Sequence, residues 1–598
     1  MDANKKPEAL HGSTSLNLPA GSSSTAKALP SDLPSPASVS PAVARSASVE
    51  QVSSQGPLLK TESQVSVKEL EVQDANNYEK SLSFKQTASA WLPSIVWSIV
   101  FAVTIIGQSY DLSLAANFFS FPQYRNLFGE SHNGGAKEIP THWQSIIQVT
   151  GQAGQVVAMY FAGKAADKYG YRKTIMVSLA STVVFLFVSF FAADAMLASQ
   201  NHQVGLAIVA LGQLLLGLPW GAFQACVGAY VSDISPTKIR PIMAGYISLC
   251  WIFGQLLSTG VITGLRSVED LTWAYRIPVM FTWIWPPLLL ISLFFAPESP
   301  AWLVRQKRDD DARAALRKLN RDDAFPVESH LKLIKSANEK ARQASATPDD
   351  SVAPADGADG ANQADEPTYG DCFKNTNWRR TRIVVMTSIA QQLCGSALMF
   401  HSAKMYQKAG MDVPLSFNLT LAQYGLGIVC ILVSFWLMSR YRHRIMWLWG
   451  VLGAVVIMGL IGGLGFAPAE LKAVPWVIAS LLVFFTGVYN LSLGPLVYAL
   501  TANIPSERLR NKTGVLGRIS YLVSGQLNMW LVPKMLEDRP NGWSFGPRST
   551  LLFAGLNAMF FVWSLFDLPE VKGRTAAEVD DLFMHNIKTR DFHRVSVA

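Results

Sequence analysis

Three charged side chains sit in stretches that offer them no water: Asp111 in "TIIGQSYDLSLAANFF", Lys404 in "HSAKMYQ" and Arg518 in "GVLGRISYLV". Asp194 and Asp567 lie near the ends of two further apolar runs. A charge at mid-bilayer costs at least about 2.5 kcal/mol on insertion scales, so its default reading is a functional one. Burial favours the protonated form of a carboxyl. Asp111 is therefore a candidate proton carrier, and the alternative is a fixed ion pair with Arg518. Gln108 shares the run of Asp111, and Gln155 and Gln213 lie in the second and fourth apolar runs. An amide both donates and accepts hydrogen bonds but does not titrate.

The elements that must hold these groups are membrane helices. The chain has 598 residues, 49% hydrophobic and only 16% charged. A soluble chain of this length would divide into domains with polar shells. Here apolar stretches of about 18 to 25 residues recur between short charged connectors, the length that crosses a bilayer as helix. Twelve are predicted, centred near residues 105, 152, 184, 217, 252, 284, 394, 427, 455, 488, 523 and 557. Polar residues interrupt the first, second and tenth.

The net charge of +8 does not point to nucleic acid, because Lys and Arg concentrate in alternate connectors such as 164–173, 238–240, 440–444 and 508–512. That bias places both termini in the cytoplasm. Residues 1–60 lack an apolar core, so the first span is expected to act as the insertion signal. Cys226, Cys250, Cys372, Cys394 and Cys430 suit neither a disulfide framework nor a metal site. No nucleophile–base constellation and no phosphate-binding glycine loop is visible, so an enzyme is not expected, nor any cofactor. The sequon at Asn418 falls beside a span and carries little weight.

Composition divides the chain into five parts: a disordered cytoplasmic tail (1–88), a six-helix half (89–296), cytoplasmic helices with a flexible linker (297–378), a second six-helix half (379–568) and a cytoplasmic tail (569–598). In "DDDARAALRKLNR" the residues Ala312, Ala315, Leu316 and Leu319 share one helical face. The halves repeat each other. "DKYGYRK" (167–173) matches "SRYRHRI" (439–445), "SDISPTKIR" (232–240) matches "ANIPSERLR" (502–510), and "GQL" recurs at 254–256 and 525–527. All three pairs are about 271 residues apart. A parallel six-plus-six repeat describes a transporter with its substrate site at the midplane between the halves.

These motifs resemble the sugar porters of the major facilitator superfamily. "GKAADKYGYRK" is similar to the superfamily's loop after the second helix. "PESPAWL" (297–303) is similar to the sugar-porter start of the cytoplasmic helices, with Ala301 in place of the usual Arg. "QQLCGSA" (391–397) resembles the sugar-binding motif of the seventh helix, and "PEVKGRTAAEVDDLF" (569–583) the sugar-porter ending. "GLPWGAFQ", "SLCWIFGQLLSTGV" and "IPSERLRNKT" resemble the fungal α-glucoside permeases. The resemblance implies an all-α membrane protein with the major-facilitator fold. It would be a monomer in the plasma membrane that takes up a disaccharide with protons and binds no nucleic acid.

By family position, Gln255, Gln391 and Gln392 are the sugar contacts, with Tyr498 as an aromatic face and Gln108 as a further amide. The resemblance also implies a proton-coupling role for Asp111 and Arg518. The permeases resembled here carry a Glu at the position of Gln108 and further carboxylates where Gln155 and Gln213 stand. Their loss leaves room for an uncoupled facilitator, or for a sugar sensor that moves nothing. The seventh helix departs from the family at Ala397, His401 and Lys404. His401 and Lys404 share a helical face, and serve either as substrate contacts or as gate residues at the outer mouth. On the cytoplasmic side, Asp167, Arg172, Asp233, Arg240, Glu298, Arg444 and Arg510 are expected to form ion pairs that hold the halves together. Ser439 and Asn503 replace acids in the second half. The latch is thus weaker there, with a bias towards the inward-open state.

Overall fold

The computed structural model describes residues 82–592 apart from 131–136, 237, 324, 344–367, 469–472, 507–508, 538–541, 573, 575 and 586. The expected tail up to residue 81 and the low-complexity linker fall outside these. Described residues of the expected tail form a helix, Phe84–Ala90, just before the first span.

Twelve helical spans follow: α1 (Leu92–Phe118), α2 (Thr141–Tyr169), α3 (Tyr171–Phe190), α4 (His202–Ile234), α5 (Arg240–Gly264), and α6 in two pieces (Leu271–Thr282, Trp285–Phe294). Then come α7 (Asn375–Leu393, continued by Ser396–Phe400 and Ser402–Lys408), α8 (Val413–Arg440), α9 (His443–Leu464), α10 (Ala473–Leu491, Leu493–Asn503), α11 (Arg510–Leu536) and α12 (Thr550–Asp567). Among the described residues, ten helices are long and apolar enough to cross a membrane, and α2 and α11 are not among them. Of the three spans expected to be interrupted by polar residues, the first and tenth qualify and the second does not, and the eleventh, not expected to be interrupted, does not qualify either.

Those two helices can be polar because they pack on each other at the seam between the halves and hide that face from lipid. The second seam contact joins α5 to α8 and to the later piece of α10. Elsewhere large apolar side chains such as Phe161, Val177, Trp436, Trp449 and Met559 face outward, as lipid requires.

Local chemistry sets the ends and breaks. Asn201 caps α4 by accepting from the Gln203 N–H (2.9 Å), and Asp270 caps α6 by accepting from the Thr272 N–H (2.9 Å). Pro286 and Pro287 follow the break in α6, and Gly395 at φ 105° makes the break in α7. A break frees backbone carbonyls that lipid cannot satisfy. Here amides satisfy them: Asn557 Nδ2 donates to Cys394 O (2.9 Å), Asn528 Nδ2 to Gln392 O (2.7 Å) and Gln391 Nε2 to Gly494 O (3.2 Å). α2 and α4 approach closely through glycines, a Cβ on Gly154 lying 3.3 Å from Gly217 Cα. Below the membrane, helix Asp309–Leu319 buries Ala312, Ala315, Leu316 and Leu319, the face its spacing predicts.

Candidate functional site

Along α2, Gln144, Gln148, Gln152 and Gln155 recur at helical spacing and are all buried. This stripe meets α11, where a Cβ on Gly525 would stand 2.9 Å from Gln152 Oε1 and 3.0 Å from Gln392 Nε2. Amides of both halves thus converge over one glycine. Several amide atoms in this region are buried without a hydrogen-bond partner: Gln108 Nε2, Gln152 Oε1, both of Gln155, Gln391 Oε1 and Gln392 Oε1. Leaving such an atom unpaired costs about 1–3 kcal/mol. A polyhydroxylated ligand offers both donors and acceptors to such a set.

Gln108 accepts from Gln224 Nε2 of α4 (3.1 Å), a partner the sequence did not single out. Gln255 is buried on α5. Tyr498 packs against the first half's core while the Arg518 guanidinium stacks over its ring (4.1 Å) and over Tyr521 (5.3 Å). The alternative pairing of Arg518 with Asp111 is not formed. Asp111 lies inside the first half, in a pocket it shares with Tyr124, Ile147, Gln213, Tyr275 and Thr282. Thr282 Oγ1 donates to its Oδ1 at 2.7 Å. Among the described residues no cation stands within ion-pair distance of it. Gln213 belongs to this pocket too. Asp194 and Asp567 are paired near span ends, with Arg276 and Arg382.

On the side expected to be cytoplasmic, the bonds found for Glu298, Arg172 and Arg444 run within their own halves. Glu298 accepts from the backbone N–H groups of Tyr171 (3.1 Å) and Arg172 (3.2 Å), capping α3 from outside. Burial raises the Glu298 carboxyl above its usual range, and these N–H donors act against that rise. Gly170, at φ 95°, leaves the room: a Cβ there would lie 2.8 Å from Glu298 Cδ. Arg172 turns to the end of α6 and donates to Phe294 O (2.6 Å) and Ala296 O (3.1 Å).

The second half repeats the device. Glu570 accepts from the N–H of His443 (3.2 Å) and Arg444 (3.2 Å), and Arg444 donates to Leu565 O (2.8 Å) at the end of α12. The sequence reading passed over Glu570, although it lies at the repeat offset from Glu298. Asp233 accepts from Ser299 Oγ (2.7 Å), and the Asp167 carbonyl from Trp302 Nε1 (2.8 Å). Arg240 donates to Ser235 O (3.3 Å). Arg510 opens α11 with its Nε buried and unpartnered.

At the outer side Lys404 is ion-paired to Glu537, and His401 Nε2 is buried without a partner. Glu537 was not found from sequence, since it follows the span in an ordinary connector.

The chain matches the model of the sugar (and other) transporter family over residues 97–583. It is 30% identical over 524 residues to the general α-glucoside permease of Saccharomyces cerevisiae, covering 87% of this chain and 80% of that one. A maltose permease of the same yeast, MAL31, is 31% identical over 536 residues (88% and 81%). Among solved structures, the proton:xylose symporter XylE bound to 6-bromo-6-deoxy-D-glucose superposes with a TM-score of 0.64 at 17% identity, covering 83% of this chain and 100% of that one. The partially occluded inward-open XylE from E. coli gives 0.61 at 16% identity (81% and 100%).

Proposed function

The chain belongs to the sugar transporter family, and we propose that within it this protein carries an α-glucosidic disaccharide inward by proton symport through alternating access. It is a carrier and not an enzyme. The observation that carries the substrate assignment is the set of unpartnered amide atoms of Gln108, Gln152, Gln155, Gln391 and Gln392. A sugar's hydroxyls both donate and accept, so each such atom gains a partner when the ligand enters. The names of the yeast relatives support the α-glucoside class. Asp111, buried without a counter-ion, is the proton site. Gln255 and Tyr498 complete the proposed binding set, and the carrier acts as a monomer in the plasma membrane with both termini cytoplasmic.

A facilitator that equilibrates sugar without protons is the second reading. It is favoured by the amides at 108, 155 and 213, which do not titrate.

Uptake of labelled maltose, sucrose and glucose by cells lacking their own carriers tests the substrate. Maltose or sucrose should enter, and Gln392→Ala should weaken half-saturation about tenfold, the factor for roughly 1.4 kcal/mol. Entry of glucose alone, or an unchanged Gln392→Ala carrier, would overturn the assignment.

A further inference from the structure

Glu537 belongs neither to the amide set nor to the Asp111 pocket. Its residue is 2% exposed at the outer end of α11, an unusual place for a carboxylate without a task. Its Oε1 accepts from Gln144 Nε2 at 2.7 Å and is ion-paired to Lys404, while Lys408 Nζ stands 3.9 Å from Oε2. The two lysines come from α7, in the same half as Glu537. Gln144 comes from α2, in the other half. Two cations thus hold an acid within one half, and that acid makes one hydrogen bond across the seam.

The arrangement is supported on both sides. The loop after α11 folds back onto it: Trp543 N donates to Lys534 O (2.7 Å), Ser544 N to Glu537 O (2.9 Å) and Phe545 N to Met535 O (2.9 Å). Gln144 also donates to Ile139 O (2.8 Å), which fixes the direction of its amide. Among the described residues, His401 from α7 and Glu138 from the segment before α2 are the other ionisable groups that act on this cluster. One turn further in from Gln144 is Gln148, and the stripe then runs on to Gln152.

We propose that Glu537 closes the outer gate of the carrier. Lys404 and Lys408 keep it ionised and aimed, and its bond to Gln144 joins the halves when the outside is shut. A hydrogen bond to an ionised acceptor away from water is about twice as strong as a neutral one. Outward opening separates the halves at this end, breaks that bond, and lets water reach the carboxylate and the amide together. The Lys404 pair travels with its own half throughout. The proposal rests on the alternating-access reading, but its test needs no sugar.

The full chain in membranes, carrying Gln148→Cys one turn inside the gate, is labelled from outside with a membrane-impermeant maleimide. Gln144→Ala and Glu537→Gln should each raise the labelling rate of folded protein about tenfold, as loss of roughly 1.4 kcal/mol of closure predicts. Combined, they should do no more than the stronger single change, because Glu537→Gln weakens the bond that Gln144→Ala removes. External half-saturation for the transported sugar should fall while the maximal rate falls with it. A labelling rate per folded molecule that stays unchanged, even where less protein is recovered, would overturn the proposal and leave Glu537 a purely structural residue. Gln144→Ala leaves the Lys404 pair intact, so a folding failure of Glu537→Gln does not remove the test.

Discussion

Glu298 sits over the first turn of α3 and Glu570 over the first turn of α9, each accepting from two backbone N–H groups of that turn at 3.1–3.2 Å and from one beside itself, Ser299 or Lys572. Arg172 and Arg444, on those same turns, reach the closing carbonyls of α6 and α12. Inside the membrane the halves part company. The first half buries an acid, Asp111, against the Thr282 hydroxyl in a pocket of aromatic and aliphatic side chains with one amide, Gln213. The second holds a cation, Arg518, against two phenol rings, and supplies the acid of the outer cluster. The device that both halves keep ties helix ends together by satisfying N–H and carbonyl groups that would otherwise stay open. The groups that differ lie where a proton, a ligand or a gate would be handled. On the proposed reading, what is repeated is scaffold, and what is not repeated carries the function.

The largest effects that would break this comparison are on stability. Glu298→Ala and Glu570→Ala each remove a charged acceptor from three backbone N–H donors, and should each cost about 2–3 kcal/mol. Melting of the purified carrier in detergent should show similar losses for the two. A loss confined to Glu298→Ala would mean that the second copy is a relic and not a support. The smallest effect concerns the positions where acids are missing from the second half. Ser439→Asp restores one at the exposed end of α8, where a new ion pair contributes at most about 1 kcal/mol. Cysteine accessibility on the two faces should then shift a few-fold away from the inward-open state. A carrier that is mainly outward-open before the change would contradict the proposed inward bias.

Much of this was legible because membrane insertion leaves few alternatives. Span length, the Lys and Arg bias and the fixed repeat offset place the helices before any packing is known. The buried face of Asp309–Leu319 followed from spacing alone. The polar character of α11 did not, because hydropathy averaged along a helix does not tell which neighbour will cover its face. Gln391 and Gln392 were found through a motif, and Gln152 was not, although it meets Gln392 over Gly525. A glutamine's function depends on what stands opposite, and only the fold supplies that. Arg172 and Glu298 show a related limit. Nearness in sequence suggested acid–base pairs, whereas helix ends offered Arg172 and Glu298 better partners in the form of open carbonyls and N–H groups.

The most direct measurement follows external pH and labelled sugar together in cells that express either the native carrier or Asp111→Asn. The account predicts that the native carrier concentrates sugar and alkalinises the medium. Asp111→Asn, which cannot titrate, should let sugar equilibrate but not accumulate. Accumulation that survives in Asp111→Asn would contradict the assignment of the proton to the first half, and would move the search for it to the second.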